Sequence, residues 1–219
     1  MNLKRIKLLG SDYIGLFAIT NDNLCLIPHS TDEKTIKTIE ETLDVKTLKT
    51  SIYESALISV FAKMNNKEII VPSFITNKEI NEIEKEIKIR IIETENALGN
   101  LMEINDNNAI ISKTLNKNVY DQIKKTGLGI LQTNLARTDA IGSSIVITNK
   151  AFLINPNATS EEIKIVQQSI NIKGGSSTAN TGDAFIRNSV IANSKGILVG
   201  EKTTGHEMSR IEEALSQEE

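Results

Sequence analysis

"ENALGNLMEINDNNAIIS", residues 95–112, reads as a strand, a polar turn and a second strand, entered through an unusually particular Asn-Ala-Leu-Gly-Asn. Its second half, "EINDNNAIIS" (103–112), recurs. "ITNDNLCLIP" (19–28), "KMNNKEIIVP" (63–72), "ITNKAFLINP" (147–156) and "IANSKGILVG" (191–200) repeat the same layout of an apolar entry, a polar turn and an apolar run. The turn asparagines are Asn21, Asn65, Asn105, Asn149 and Asn193, at successive intervals of 44, 40, 44 and 44 residues. Seven residues after each stand Pro28, Pro72, Ser112, Pro156 and Gly200. A period of this length marks a repeat protein. Asparagine tolerates the left-handed backbone of a tight hairpin, which predicts that conformation at all five turns.

Each copy continues into a helix. Ser30 with Glu33, Thr76 with Glu79, Thr159 with Glu162 and Thr204 with Glu207 have capping-box spacing, and Asn116 can cap the third helix. Apolar pairs at helical spacing follow, such as Ile36 and Ile39 or Ile163 and Val166, and they turn one stripe toward a core. Mixed-sign runs such as "NEIEKEIK" read as solvated faces.

A further strand follows each of the first four helices, in "VKTLKTSI", "IKIRIIET", "LGILQTNL" and, least distinctly, "INIKGGSS". The fifth helix has none after it. "LKRIKLL", residues 3–9, belongs to no unit and can supply the missing strand, closing the ring and leaving no sheet edge open. The expected fold is α/β: five ββαβ units in a closed toroid forming one domain over 1–219. The units are roughly 10–52, 53–95, 96–138, 139–181 and 182–219, the last completed by 3–9.

Composition limits what such a ring can do. With 39% hydrophobic and 24% charged residues the chain suits a soluble globular protein, and no apolar run approaches a membrane span. The opening apolar run is too short for a signal peptide, so a cytoplasmic location is expected. A formal charge of -3 and a pI near 5.6 lack the bulk electrostatics of a nucleic-acid binder, and aromatics at 4% give no base-stacking platform. A partner of such a surface is more readily a basic protein than bare phosphate. No DNA or membrane partner is expected.

Few residues suggest chemistry. Cys25 sits in an apolar strand at the position filled by Ile69, Ala109, Phe152 and Ile197 in the other copies, which reads as packing. His29 and His206 lie in loops before helices, outside any metal-ligand spacing. "GGSSTANTGD" (174–183) has no lysine, and "GILVGEKTT" puts Glu201 where a phosphate-binding loop needs Gly-Lys, so these glycines are expected to turn the backbone between units. No catalytic residue, metal or cofactor is expected.

"NALGNLMEINDNNAI", "IGSSIVITNKAFLINP" and "STANTGDAFIRNSVIANSKGILVGEKTTGHEMSRIEEAL" together resemble the translation initiation factor 6 family in its archaeal form, over essentially the whole chain. The resemblance implies a pentein fold, a toroid of fivefold pseudosymmetry. It also implies a monomeric ribosome anti-association factor that binds the intersubunit face of the large ribosomal subunit near the sarcin-ricin loop. Such a factor blocks premature joining of the small subunit and takes part in late large-subunit maturation. "NALGN" matches a signature stretch of the family, which accounts for its particularity through a shared surface.

Some features depart from the family pattern. "SSTAN" stands where Gly-Thr-Val-Asn is usual, and the chain stops at "LSQEE" without the tail of eukaryotic members, so regulation through such a tail is not expected. Pentein folds also host guanidine-modifying deiminases and amidinotransferases, which use a nucleophilic Cys with a nearby His. Cys25 is a poor match for that role.

The positions five residues before each turn asparagine are Leu16, Val60, Asn100, Ser144 and Asn188. Repeat symmetry makes them equivalent strand positions ringing one face. Asn100 closes "NALGN" and either steadies a hairpin or offers its amide to a ribosomal protein. The five are the expected ribosome-binding residues.

Overall fold

The computed structural model describes residues 1–216, so the last three residues of the fifth unit and of the reading 1–219 lie outside the described residues. After β1 (Asn2–Ile6), the first blade is β2 (Ile19–Thr20), β3 (Leu24–Pro28), α1 (Glu33–Leu43) and β4 (Lys46–Thr50). The second is β5 (Lys63–Met64), β6 (Glu68–Pro72), α2 (Asn77–Ile83) and β7 (Lys88–Ile92). The third is β8 (Met102–Ile104), β9 (Asn108–Ser112), α3 (Lys117–Lys124) and β10 (Gly129–Thr133). The fourth is β11 (Ile145–Ile147), β12 (Phe152–Ile154), α4 (Ser160–Ile170) and β13 (Gly174–Ser176), and the fifth is β14 (Val190–Ala192), β15 (Gly196–Gly200) and α5 (Gly205–Leu215).

In each of the first four blades the first two strands form an antiparallel hairpin, and the helix returns the chain to a third strand parallel to the second. The fifth blade borrows its third strand from the N-terminus: β1 runs parallel to β15, with Leu3 opposite Ile197 and Arg5 opposite Val199. This strand is shorter than residues 3–9, because Leu8 has already left the sheet to bridge Ser11. Five three-stranded sheets closed in this way are the pentein arrangement.

The middle strands are largely apolar, with Glu68, Asn108 and Ser112 as polar exceptions at strand ends, because both faces of each blade are buried. In β3, Leu24 and Leu26 pack at the seam with the second blade, whereas Cys25 and Ile27 pack at the seam with the fifth. Every seam carries its own apolar cluster, and β1 joins the last of them through Ile6. Capping boxes start α2, α4 and α5, and Asn116 caps α3. The first helix is not capped by Ser30: the Asp32 carboxylate accepts from the Thr35 amide at 2.9 Å and also from its hydroxyl, a stronger charged cap two residues later.

Three other expectations need correction. None of the turn asparagines is left-handed. Asn21 Oδ1 instead accepts the Asn23 and Leu24 amides at 2.8 and 2.7 Å, and its Nδ2 donates to Asn65 O in the next blade. Asparagine is needed for its side-chain acceptor and donor rather than for its backbone tolerance.

The fourth repeat is in register one residue earlier. Thr148 Oγ1 accepts the Lys150 and Ala151 amides, so Thr148 is the equivalent of the other four turn residues and Asn149 that of Asp22, Asn66 and Asp106. The position seven residues on is therefore the buried Asn155, not Pro156.

Lastly, Gly174, Gly196 and Gly200 lie within strands, where a Cβ would come within 2.2 Å of a backbone oxygen of Phe152, Thr42 or Asp12. Only Gly182, at φ +110°, serves as the expected turn glycine in those two stretches.

The registers fix two ends. β3 and β4 both run away from the Asn21 turn, so the five turns and the helix C-termini share one end, with Leu43 O accepting from Asn193 Nδ2. The helix N-termini and the connections between blades share the other.

Candidate functional site

"NALGN" lies at this second end, and it is not a strand. Residues Leu98–Leu101 form one helical turn, as do Ile14–Leu16, Ile58–Phe61, Ile141–Ser144 and Ile186–Asn188, and each packs against its neighbours around the axis. The approach is close enough to exclude side chains. A Cβ on Gly99 would lie 1.9 Å from Ser59 O, one on Gly142 1.8 Å from Gly99 O, and one on Gly15 1.9 Å from Arg187 O. Glycine in "NALGN" is thus demanded by the adjacent blade, a contact that no reading of one repeat reveals.

Leu16, Val60, Asn100 and Asn188 sit half-buried at the ends of these turns. Asn100 Oδ1 accepts the Ser143 hydroxyl at 3.4 Å, across the seam. Ser143 is the true equivalent of Asn100, following the register of Thr148. Ser144 is fully buried and belongs with the inward-packed Phe17, Phe61 and Leu101, so it is removed from the exposed ring.

Below the helical turns the axis is filled by charge. Lys63 Nζ lies 2.7 Å from Glu103 Oε2 and donates to Gly142 O at 3.2 Å. Arg187 Nε approaches the same carboxylate oxygen at 3.5 Å, and its Nη1 donates to Gly15 O and Val190 O. Blades two, three and five are thereby tied together at the centre. Burial pushes the Lys63 ammonium down to about 8, partly opposed by Glu103. Sequence reasoning passed over these residues, although a charge inside an otherwise apolar strand was the available signal.

The capping-box glutamates hold the connections between blades. Glu79 accepts from the Ser51 hydroxyl at 2.6 Å and from the amides of Tyr53, Glu54 and Thr76 at 3.0, 2.8 and 2.9 Å. Tyr53 and Glu54 are both left-handed, at φ 58° and 56°, a strained state for side chains of this size. Burial would raise the Glu79 carboxyl, but hydrogen bonds from Ser51, Thr76 and Glu54 outweigh it and hold the group below its usual range. Glu207 does the same at the Thr181–Gly182 turn, and Glu162 receives the amide of left-handed Ala136.

No arrangement for nucleophilic chemistry forms around Cys25. It is fully buried, and burial pushes its thiol up to about 12. His29 is exposed, 3.8 Å from Glu82, and His206 is exposed in the first turn of α5. Among the described residues no group of three or more His, Cys, Asp or Glu could hold a metal ion, and no helix is long and apolar enough to cross a membrane.

Residues 3–214 match the eIF-6 family. Among similar proteins, translation initiation factor 6 of Thermoplasma acidophilum is 32% identical over 215 residues, covering 98% of this chain and 100% of that one. The factor of the same name from Sulfolobus acidocaldarius is 34% identical over 223 residues, covering 99% and 100%. Solved structures with some likeness include DDAH from Pseudomonas aeruginosa, with TM-score 0.44 and 12% identity over 93% of this chain and 73% of that one. Another is C. jejuni agmatine deiminase, with TM-score 0.41 and 14% identity over 60% and 52%.

Proposed function

Since this chain belongs to the eIF-6 family, we propose that it is a cytoplasmic, non-enzymatic translation factor that binds the large ribosomal subunit and sterically keeps the small subunit away. The full-length match to proteins named translation initiation factor 6 carries the reading. The geometry favours a blocking role. A closed ring with an apolar cluster at every seam and hydrogen-bonded connections is a rigid body, and a rigid body excludes a competitor without chemistry.

The helical end is the proposed contact face. Asn100, Leu16, Val60 and Asn188 are half-exposed there, and the exposed Tyr13 and Phe185 flank them as the residues preceding two of the helical turns. The proposed partners are ribosomal proteins and rRNA near the sarcin-ricin loop, met by one copy of the whole chain. A part in large-subunit maturation belongs to the same reading.

Co-sedimentation with purified large and small subunits tests it. Selective pelleting with the large subunit is expected, and equal or absent pelleting overturns the reading. Asn100→Arg separates interface from fold: unchanged melting with binding weakened at least tenfold places Asn100 at the contact, whereas normal melting with normal binding removes it.

A further inference from the structure

The helical end is chemically uneven. Tyr53, at 58% exposure, is the most exposed of its large apolar side chains, yet its position is fixed. Its backbone amide is held by Glu79, and its ring packs edge-on against Phe74 at 4.9 Å and Phe61 at 6.4 Å, while those two are 5.7 Å apart. Three of the chain's eight phenylalanines and tyrosines thus form one shelf on the second blade.

A cleft of about 360 Å³ adjoins the shelf at the seam of blades one and two, lined by residues that include Glu54, Thr76, Lys78, Glu79 and Glu82. Three carboxylates face Lys78 and His29 across it, with His29 Nε2 3.8 Å from Glu82 Oε2. The Glu79 carboxylate is saturated by inward donors, Glu82 Oε2 takes the Thr50 hydroxyl at 3.2 Å, and Glu54 has no ion pair among the described residues. The counterparts of Glu54 in two other left-handed connections are Gly10 and Arg137, so the acidic lining is not a consequence of the repeat.

We propose that this cleft receives a lysine or arginine head from a basic protein segment, placed between Glu54 and Glu82, while a neighbouring apolar side chain of the segment lies on the Tyr53–Phe61–Phe74 shelf. An apolar shelf beside an excess of negative charge selects such a segment over an acidic peptide or a phosphate backbone, both of which Glu54 and Glu82 would repel. The partner's presence at this end rests on the proposed function, whereas the preference of the cleft for a cation does not.

The test is an amide-shift titration of the full-length protein with two probes, acetyl-Leu-Arg-Gly-amide and acetyl-Leu-Glu-Gly-amide. Saturable shifts confined to Tyr53, Glu54, Thr76 and Glu82 are expected with the first and none with the second. Glu54→Gln with Glu82→Gln, which keeps the acceptor for Thr50, should weaken the arginine probe about tenfold at unchanged melting temperature. Shifts scattered over the acidic surface, equal binding of both probes, or full binding by the double variant would overturn the proposal. Co-sedimentation of the wild-type protein with large subunits decides the functional reading independently, so the two ideas fail by different results.

Discussion

Lys63 and Glu103 form an ion pair at the axis of the ring, 2.7 Å apart, with only 2% and 8% of their side chains exposed. A buried pair of this kind contributes little net stability, but removing one partner strands the other. Glu103→Gln should cost about 3–5 kcal/mol, because it leaves both Lys63 and Arg187 without their carboxylate. The pair also makes stability depend on pH. Lys63 has a folded value of about 8 against 10.5 for a free lysine side chain, so between these limits the unfolded chain holds more protons and stability rises with pH. Denaturant melts of wild type and Lys63→Met from pH 7 to 10 check this, with the wild type expected to gain on the variant above pH 8. A constant difference would refute it.

The Glu79 carboxylate joins a helix cap to a strained connection between blades. Glu79→Ala should destabilise the fold by about 3 kcal/mol, more than a cap alone, because the Tyr53 and Glu54 amides also lose their acceptor. The sign with pH is opposite to that of Lys63. A folded value held below 4.5 contributes stability that is present above the unfolded value and lost as pH falls through the folded one. Glu79→Gln should flatten the acid limb of the melting profile, and an unchanged limb would count against this role.

At the asparagine end, Nδ2 of Asn21, Asn65, Asn105 and Asn193 each donates to a carbonyl of the next blade, but Thr148 has no amide to continue the ring to Asn193. Thr148→Asn should keep the acceptor for the Lys150 and Ala151 amides and add the missing donor. A gain of about 1 kcal/mol, read as a rise of roughly 2–4 °C in melting temperature, is expected. A fall would show that the fourth turn is too differently shaped for the substitution.

Ring closure is carried by one strand. Deleting residues 1–6 removes β1, opens the edge of β15 and takes away Leu3 and Ile6, which pack at the seams on either side of the fifth blade. The loss should be several kcal/mol, with greater aggregation through the exposed edge. Wild-type melting of the truncated chain would contradict closure.

Much of this was legible in the sequence because a repeat reports its own period. The five turns, the crossover helices and the stranded N-terminal segment all follow from spacing and apolar pattern. The register of the fourth copy was not, because Thr148 and Asn149 are adjacent and a hydroxyl can replace an amide as acceptor at the turn. Nor were the helical turns: "LGN" and "IGSS" are too short for a helical period, and their glycines answer to backbone in the preceding blade rather than to local conformation. The Lys63–Glu103–Arg187 cluster joins residues from three repeats, 40 apart for the first pair, so only the closed ring brings them together. Asn100 stands out in the sequence only by closing "NALGN"; its place on a helical turn beside Ser143 depends on the same packing.

The central claim is that a rigid ring blocks subunit joining by occupying a surface. Light scattering of mixed large and small subunits tests it most directly, with the protein titrated in without added nucleotide. The account predicts that the joined fraction falls in proportion to the protein added and reaches its floor near one copy per large subunit. It also predicts that Asn100→Arg, at unchanged melting temperature, shifts the titration to at least tenfold higher concentration. Unimpaired joining at saturating protein, action by a small fraction of one equivalent, or dependence on nucleotide hydrolysis would contradict it.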